Sequence, residues 1–324
     1  MKYQHKYRIY VLWLLLAVII AILYVNVSHD PTGIAHVYYR IAGNALDAGN
    51  NEKAIKYANY VLALQPDYAP AYTVRGQAYQ GMYQYNQAIS DFNRAIELGV
   101  TDAYTYYTRG KAYASLGSFD QAIQDFDESI RLRPNQAATY HARGLVYYQK
   151  QDYDRAIEDL NEAIKLAPNE ADPYYGRGLV YQAKGNFDQA LADYSQAIEV
   201  NKTFALAYYA RGLVYYNQGD YEKAMSEVDF AIQYESSNAE DYYLRGLIFA
   251  AQGDYSQAVK DYTHALDQNP IYEDVYYSRA LAYQALDMKV ESINDFRKVL
   301  ELTSDMDRRQ DVEQHLQGLG EKTP

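Results

Sequence analysis

Hydrophobic and polar positions follow two regimes along the chain. From Ile9 to Val27, nineteen residues carry no charge and a single side-chain amide, Asn26. As a helix this stretch spans about 28 Å, close to the ~30 Å hydrocarbon core of a bilayer. Tyr10, Trp13 and Tyr24 stand near its ends, where aromatic rings favour the membrane interface. The run is longer than the apolar region of a cleaved signal peptide, and Val25-Asn26-Val27-Ser28 offers no small-x-small cleavage site. The pattern therefore predicts an uncleaved transmembrane helix over residues 9–27. Lys2, Lys6 and Arg8 precede it without any acid. That bias predicts a cytoplasmic N-terminus, residues 1–8, and an extracytoplasmic body beyond a linker at 28–34.

From residue 35 the pattern repeats every 34 residues. Arginine recurs at Arg75, Arg109, Arg143, Arg177, Arg211, Arg245 and Arg279. Glycine follows it directly in all but the last, where Ala280 stands. Counting residue 35 as position 1, tyrosine holds position 4 eight times, from Tyr38 to Tyr276. Positions 4, 8 and 11 share one helical face, and positions 20, 24, 27 and 28 share another, so each period encodes two amphipathic helices. Glycine at position 15 (Gly49, Gly117, Gly185, Gly219, Gly253) ends the first helix. Ser118, Asn186 and Asp254, each followed by a glutamine three residues on, read as capping boxes for the second. Proline at position 32 (Pro66, Pro134, Pro168, Pro270) closes the second helix. Position 33 then offers cap-type residues before the next helix: Asp67, Thr101, Asn135, Asn169, Thr203, Ser237 and Asp305. Glycine inside a helix costs about 1 kcal/mol. Its return at position 8, against alanine at position 20, predicts a close helix crossing.

The tyrosine at 4, glycine at 8, tyrosine at 11, alanine at 20, aromatic at 24 and proline at 32 together resemble the tetratricopeptide repeat, a 34-residue helix–turn–helix unit. Eight units fit without a gap: 35–68, 69–102, 103–136, 137–170, 171–204, 205–238, 239–272 and 273–306. Residues 307–324 hold a cap helix and tail. The resemblance implies an all-α, right-handed α-solenoid of eight repeats with a C-terminal cap helix, preceded here by the transmembrane helix. It also implies that positions 2, 5, 9, 12 and 13 of the first helices line a concave binding groove. Carried to this chain, position 5 gives Tyr39, Tyr107, Tyr175, Tyr209, Tyr243 and Tyr277, with His141 in the fourth unit. Position 9 changes from Gly43, Gln77 and Lys111 to Leu145, Leu179, Leu213, Leu247 and Leu281, and position 12 adds Tyr148 and Tyr216. The lysine at position 5 and asparagine at position 9 of the family's carboxylate-clamp members are missing from every unit.

One correlation within the repeat has a structural explanation. The seven units with arginine at position 7 carry an acid at position 23: Asp91, Asp125, Asp159, Asp193, Glu227, Asp261 and Asp295. The first unit has Ile41 and Tyr57 instead. Charges that vanish together form an ion pair, and pairing inside the unit satisfies all seven.

Composition narrows the function. Net charge is −12, and because the first 29 residues are basic, the remainder carries −15. Such a body repels phosphate backbones, so nucleic acid is not expected as a partner. The chain has no cysteine, which removes disulfides, thiolate metal sites and cysteine nucleophiles. Its six histidines share no spacing, and no phosphate-binding glycine loop or serine elbow is present. The reading is of a non-enzymatic scaffold with no cofactor and no metal. The 39 tyrosines suit a groove for an extended peptide or an amphipathic helix of a protein partner, in assembly of a membrane or envelope complex. A polysaccharide groove and self-association remain alternatives, and the position-9 leucines are either free or packed on a neighbouring helix. Leucine fills position 9 only from the fourth unit, so the groove's apolar area is expected in the distal half.

Overall fold

Two amphipathic stretches per period give two helices per period. The computed structural model describes residues 31–235 and 237–321, which form seventeen α-helices and no strand. The first helices of the repeats are α1 (Pro31–Asp47), α3 (Ala69–Gly81), α5 (Ala103–Ser115), α7 (Ala137–Gln149), α9 (Ala171–Ala183), α11 (Ala205–Asn217), α13 (Ala239–Ala251) and α15 (Glu273–Ala285). The second helices are α2 (Asn51–Leu64), α4 (Tyr85–Glu97), α6 (Phe119–Leu132), α8 (Tyr153–Leu166), α10 (Phe187–Val200), α12 (Tyr221–Tyr234), α14 (Tyr255–Gln268) and α16 (Lys289–Leu302). α17 (Met306–Gly318) follows. α1 opens at Pro31, inside the stretch read from the sequence as linker. The transmembrane helix expected over 9–27 lies outside the described residues. Among those described, no helix is long and apolar enough to cross a membrane.

The described residues divide into two compact units, one ending at Asp152 with α1 to α7 and one starting at Tyr153 with α8 to α17. Inside each, the two helices of a repeat pack on one another, and each second helix packs on the first helix of the next repeat. Successive first helices also touch, as α1–α3–α5–α7 and as α9–α11–α13–α15, whereas among the described residues of each unit no two second helices do. The first helices therefore form the crowded side of each stack. Alanine at position 20 (Ala54, Ala88, Ala122, Ala156, Ala190, Ala224, Ala258) is fully buried throughout, as close helix packing requires.

Three local expectations need correction. The residue that caps each first helix is at position 34, not 33: Asp102 and Asn238 accept backbone N–H bonds there, and Tyr68, Phe204 and Tyr272 occupy the same place. Asp305 is the exception and caps α17 by accepting from the Asp307 and Arg308 amides. Of the three capping boxes only Asp254 bonds the helix, through the Gln257 amide, while Ser118 and Asn186 make no such bond. Finally, glycine at position 8 faces mainly the ring at position 24 rather than the alanine at position 20. A methyl on Gly178 would lie 2.5 Å from Tyr194, and one on Gly110 would lie 2.8 Å from Phe126. Glycine is there to admit a ring.

Candidate functional site

The repeated arginine builds the frame behind any binding face. In six repeats its guanidinium grips the position-23 carboxylate with two bonds of 2.6–3.0 Å: Arg75 with Asp91, Arg109 with Asp125, Arg177 with Asp193, Arg211 with Glu227, Arg245 with Asp261 and Arg279 with Asp295. These pairs lie within the repeat, as the correlation predicted. Their acids are nearly buried, and burial pushes the Asp125 and Glu227 carboxyls up against the pull of their arginines.

A second contact was not foreseen. The remaining guanidinium nitrogen donates to position 25 of the preceding repeat, at Asn59, Asn93, Asp127, Asn161, Ser195, Asp229 and Thr263. Each arginine thus joins two repeats, and it also lies over the ring of the position-4 tyrosine, 5.4–6.0 Å from its centroid. Four of those tyrosines donate their hydroxyls back to the preceding turn: Tyr72 to Pro66 O, Tyr174 to Pro168 O, Tyr208 to Lys202 O and Tyr276 to Pro270 O. Position-4 tyrosine is scaffold.

The candidate groove residues lie on the first helices, half-buried without exception. Tyr107, His141, Leu145 and Tyr148 belong to the unit ending at Asp152, and the other eight to the unit starting at Tyr153. In the latter, Leu179 and Tyr175 rest on the cluster of Ala190, Tyr194, Ala210 and Val214. Leu213, Tyr209 and Tyr216 rest on Ala224, Val228, Leu244 and Ile248. Leu247 and Tyr243 rest on the cluster around Tyr262 and Leu266, and Tyr277 on the one around Phe296 and Val312. The leucines are neither free nor core, since one side of each packs across the joint between repeats and the other remains accessible.

The position-5 tyrosines are wedged in the same way. Tyr175 meets Tyr194 of α10 and, edge-on, Phe204 at the cap of α11, with centroids 5.9 and 5.5 Å apart. Tyr243 repeats this with Tyr262 and Tyr272. The position-34 aromatics escaped sequence analysis because they fall outside the family pattern. Burial is the main cause that pushes the Tyr209 hydroxyl far up, with Glu240, Tyr272 and Asp241 adding to it. Burial and then Asp311, to which its hydroxyl donates at 2.6 Å, push Tyr277 up to about 12. Both phenols stay protonated at neutral pH. Leu206, at position 2 of α11 and three residues before Tyr209, is exposed.

Where position 9 is Gly43 and Gln77, a cavity of about 420 Å³ opens among α1, α3 and the start of α5. No group of three or more His, Asp or Glu able to hold a metal stands among the described residues.

Comparison with known proteins follows from these features. The model of the TPR repeat matches residues 110–151, 144–185, 180–219 and 246–287, and that of the tetratricopeptide repeat matches 69–98, 205–237 and 273–306. Together they span about two thirds of the chain. The chain is similar to the crystal structure of a tetratricopeptide repeat protein from Parabacteroides merdae ATCC 43184, at 19% identity and TM-score 0.64, over 76% of this chain and 98% of that one. It is equally similar in fold to a chain of the APC/C hetero-tetramer Cut9-Hcn1, at 16% identity and TM-score 0.64, over 85% of this chain and 54% of that one. The MamA protein is 27% identical over 53% of this chain and 93% of that one, with TM-score 0.48. No curated protein matches the chain at a significant level.

Proposed function

The chain belongs to the tetratricopeptide repeat family, and on that premise we propose that it is a membrane-anchored adaptor. It binds an extended peptide or an amphipathic helix of a partner protein along its first helices, in the assembly of a membrane or envelope complex. One observation carries this reading. On α9, α11, α13 and α15, tyrosine and leucine at positions 5 and 9 are held half-buried on one side, with a fixed pose and accessible apolar area. Ordered aromatic and aliphatic anchors lose little entropy on binding and dominate interface energy. The uncharged run at 9–27 supports attachment to a membrane.

The test is capture of partners by the full chain in its own membrane. Leu206→Asp, at an exposed position on this face, is expected to cut capture at least tenfold with an unchanged melting curve. Tyr209→Ala with Leu213→Ala is expected to abolish it. Glu199→Ala with Lys202→Ala, at exposed sites on the second-helix side, is expected to leave it intact. Equal loss in all three would remove the face from the reading. Retention of glycans rather than proteins on the same face would favour a polysaccharide ligand. Protease added from outside the membrane is expected to digest residues 35–306, and their protection would reverse the topology.

A further inference from the structure

Position 9 of the first repeat is Gly43, where the distal repeats have leucine. A Cβ built on Gly43 would meet nothing within 4 Å, so nothing in the neighbouring helices has closed over the missing side chain. The result is the cavity of about 420 Å³, with Tyr39, Gly43 and Asp47 from α1, Thr73 and Gln77 from α3, and Asp102 at the cap of α5 among its lining. That volume falls in the range of ligand pockets.

Two features of the lining define what would fill it. The Thr73 hydroxyl is buried and has no hydrogen-bond partner among the described residues. Buried polar groups are paired in nearly all folded proteins, and one left unpaired calls for a partner from elsewhere. The lining also contains two carboxylates and no lysine or arginine. Asp102 already accepts from the Tyr104 and Thr105 amides and the Thr105 hydroxyl. The Asp47 carboxylate, at the end of α1 and at the exposed mouth of the cavity, has no side-chain hydrogen bond or ion pair among the described residues. An acidic pocket with free acceptors and the Tyr39 ring on its wall is complementary to a long side chain with an apolar stem and a cationic head.

We propose that this cavity is a specificity pocket for an arginine side chain of the bound partner. Asp47 and the Thr73 and Gln77 oxygens accept from the guanidinium, and Tyr39 flanks the stem. The guanidinium presents five donors in a plane and suits several separated acceptors better than a single ammonium does. The inference rests on the reading of the chain as a protein-binding adaptor, and adds to it a second anchor point and a residue preference.

The probe is a set of fluorescent twelve-residue peptides with blocked ends and an alanine, serine and leucine background. They carry arginine, lysine, glutamine or glutamate at the centre and are titrated by polarisation against the detergent-solubilised full chain. Arginine is expected to bind at least tenfold tighter than glutamine and more tightly than lysine, with no binding of glutamate. Gly43→Leu fills the cavity with the residue that the distal repeats use, in a helical position where leucine is favoured over glycine. It is expected to erase the arginine preference while the melting temperature holds or rises. Asp47→Asn is expected to reduce the preference about tenfold and to weaken its dependence on salt. Equal binding of arginine and glutamate peptides, no binding of any peptide, or an arginine preference that survives Gly43→Leu would overturn the pocket. The adaptor reading is decided separately, by the capture experiment with Leu206→Asp on α11. Capture that fails with Leu206→Asp but not with Gly43→Leu would leave the adaptor standing without this pocket.

Discussion

At the scale of single residues, the arginine column shows why one side chain can matter more than its neighbours. Arg177 makes two bonds to Asp193 inside its repeat and one to Asn161 in the repeat before. Asp193 is nearly buried and Asn161 is exposed. Removing a buried partner strands the remaining charge, which costs about 3 kcal/mol in a closed site, and somewhat less here because Arg177 is partly solvated. Asp193→Ala is therefore expected to lower the denaturation midpoint by the equivalent of about 2 kcal/mol, and Asn161→Ala by less than about 0.5 kcal/mol. Equal shifts would mean that the bond across repeats, not the pair within one, holds the column.

Asp241 is a different case. It stands at position 3 of α13, where other repeats have Ala71, Ala207 or Val275, and it is 1% exposed, with Oδ2 unpaired. Asn238 donates weakly to its other oxygen at 3.3 Å. Burial first, and then Glu235 and Glu240, push its carboxyl up to about 7. An acid whose folded value lies above its unfolded value holds its proton more tightly when folded. Its presence therefore favours folding below about pH 4, and that contribution is lost as pH rises toward 7, by roughly 4 kcal/mol as an upper bound. Asp241→Ala is expected to flatten this part of the stability–pH curve and to raise the melting temperature at pH 8. A slope unchanged between pH 4 and 7 would show that Asp241 is not the group responsible.

At the scale of helices, the crossing inside each repeat depends on what faces the position-8 glycine. Tyr194 is fully buried over Gly178, and its hydroxyl is tied to Gln182 at 2.7 Å, so the ring has little freedom to give way. In the sixth repeat the ring is replaced by Val228, and a methyl on Gly212 would press only lightly on Glu227 Cβ at 3.2 Å, with Ala224 O and Val228 N at ordinary contact distances of 3.5 and 3.6 Å. Gly178→Ala is therefore expected to cost about 2 kcal/mol through overpacking. Gly212→Ala is expected to lie within about 1 kcal/mol of wild type, because the helix gain offsets a small displacement. The turn after the first helix gives a converse case. Glycine at position 15 has φ between 71° and 82° in five repeats, yet Tyr83, Gln151 and Asp287 hold the same place at φ near 60°. The turn imposes the left-handed conformation whichever residue is present, at about 1 kcal/mol for a side chain with a Cβ. Asp287→Gly is expected to stabilise the chain by about that amount and Gly185→Ala to destabilise it similarly, as read from thermal midpoints.

At the scale of the whole molecule, the helix contacts inside each compact unit join neighbouring repeats, so stability is close to a sum over repeats and their joints. Deleting residues 205–238 would bring Arg245 against Ser195, the same partner that Arg211 now uses. The shortened chain is expected to keep its helicity per residue and to melt only modestly lower. Complete loss of helicity would show that the repeats do not fold as separable units.

The sequence alone determined whatever depends on separations inside one helical hairpin. The period of 34 and the two helices per repeat are short-range consequences of helical geometry stated eight times over, and the pairing of position 7 with position 23 is stated seven times. Even a variant repeat is informative, since the first repeat lacks both members of the ion pair. Tertiary structure decided whatever depends on distances between repeats. Nothing in the spacing says that an arginine already paired at home reaches position 25 of its neighbour, or that a ring rather than an alanine covers the glycine. The site divides along the same line. That tyrosine and leucine share a face was legible from their positions, but how far each sinks between adjacent repeats was not. Gly43 was visible as a departure from leucine. That it leaves an open cavity beside the unpaired hydroxyl of Thr73 depends on whether neighbouring helices move in to fill the space, and packing between helices settles that only once they are in place.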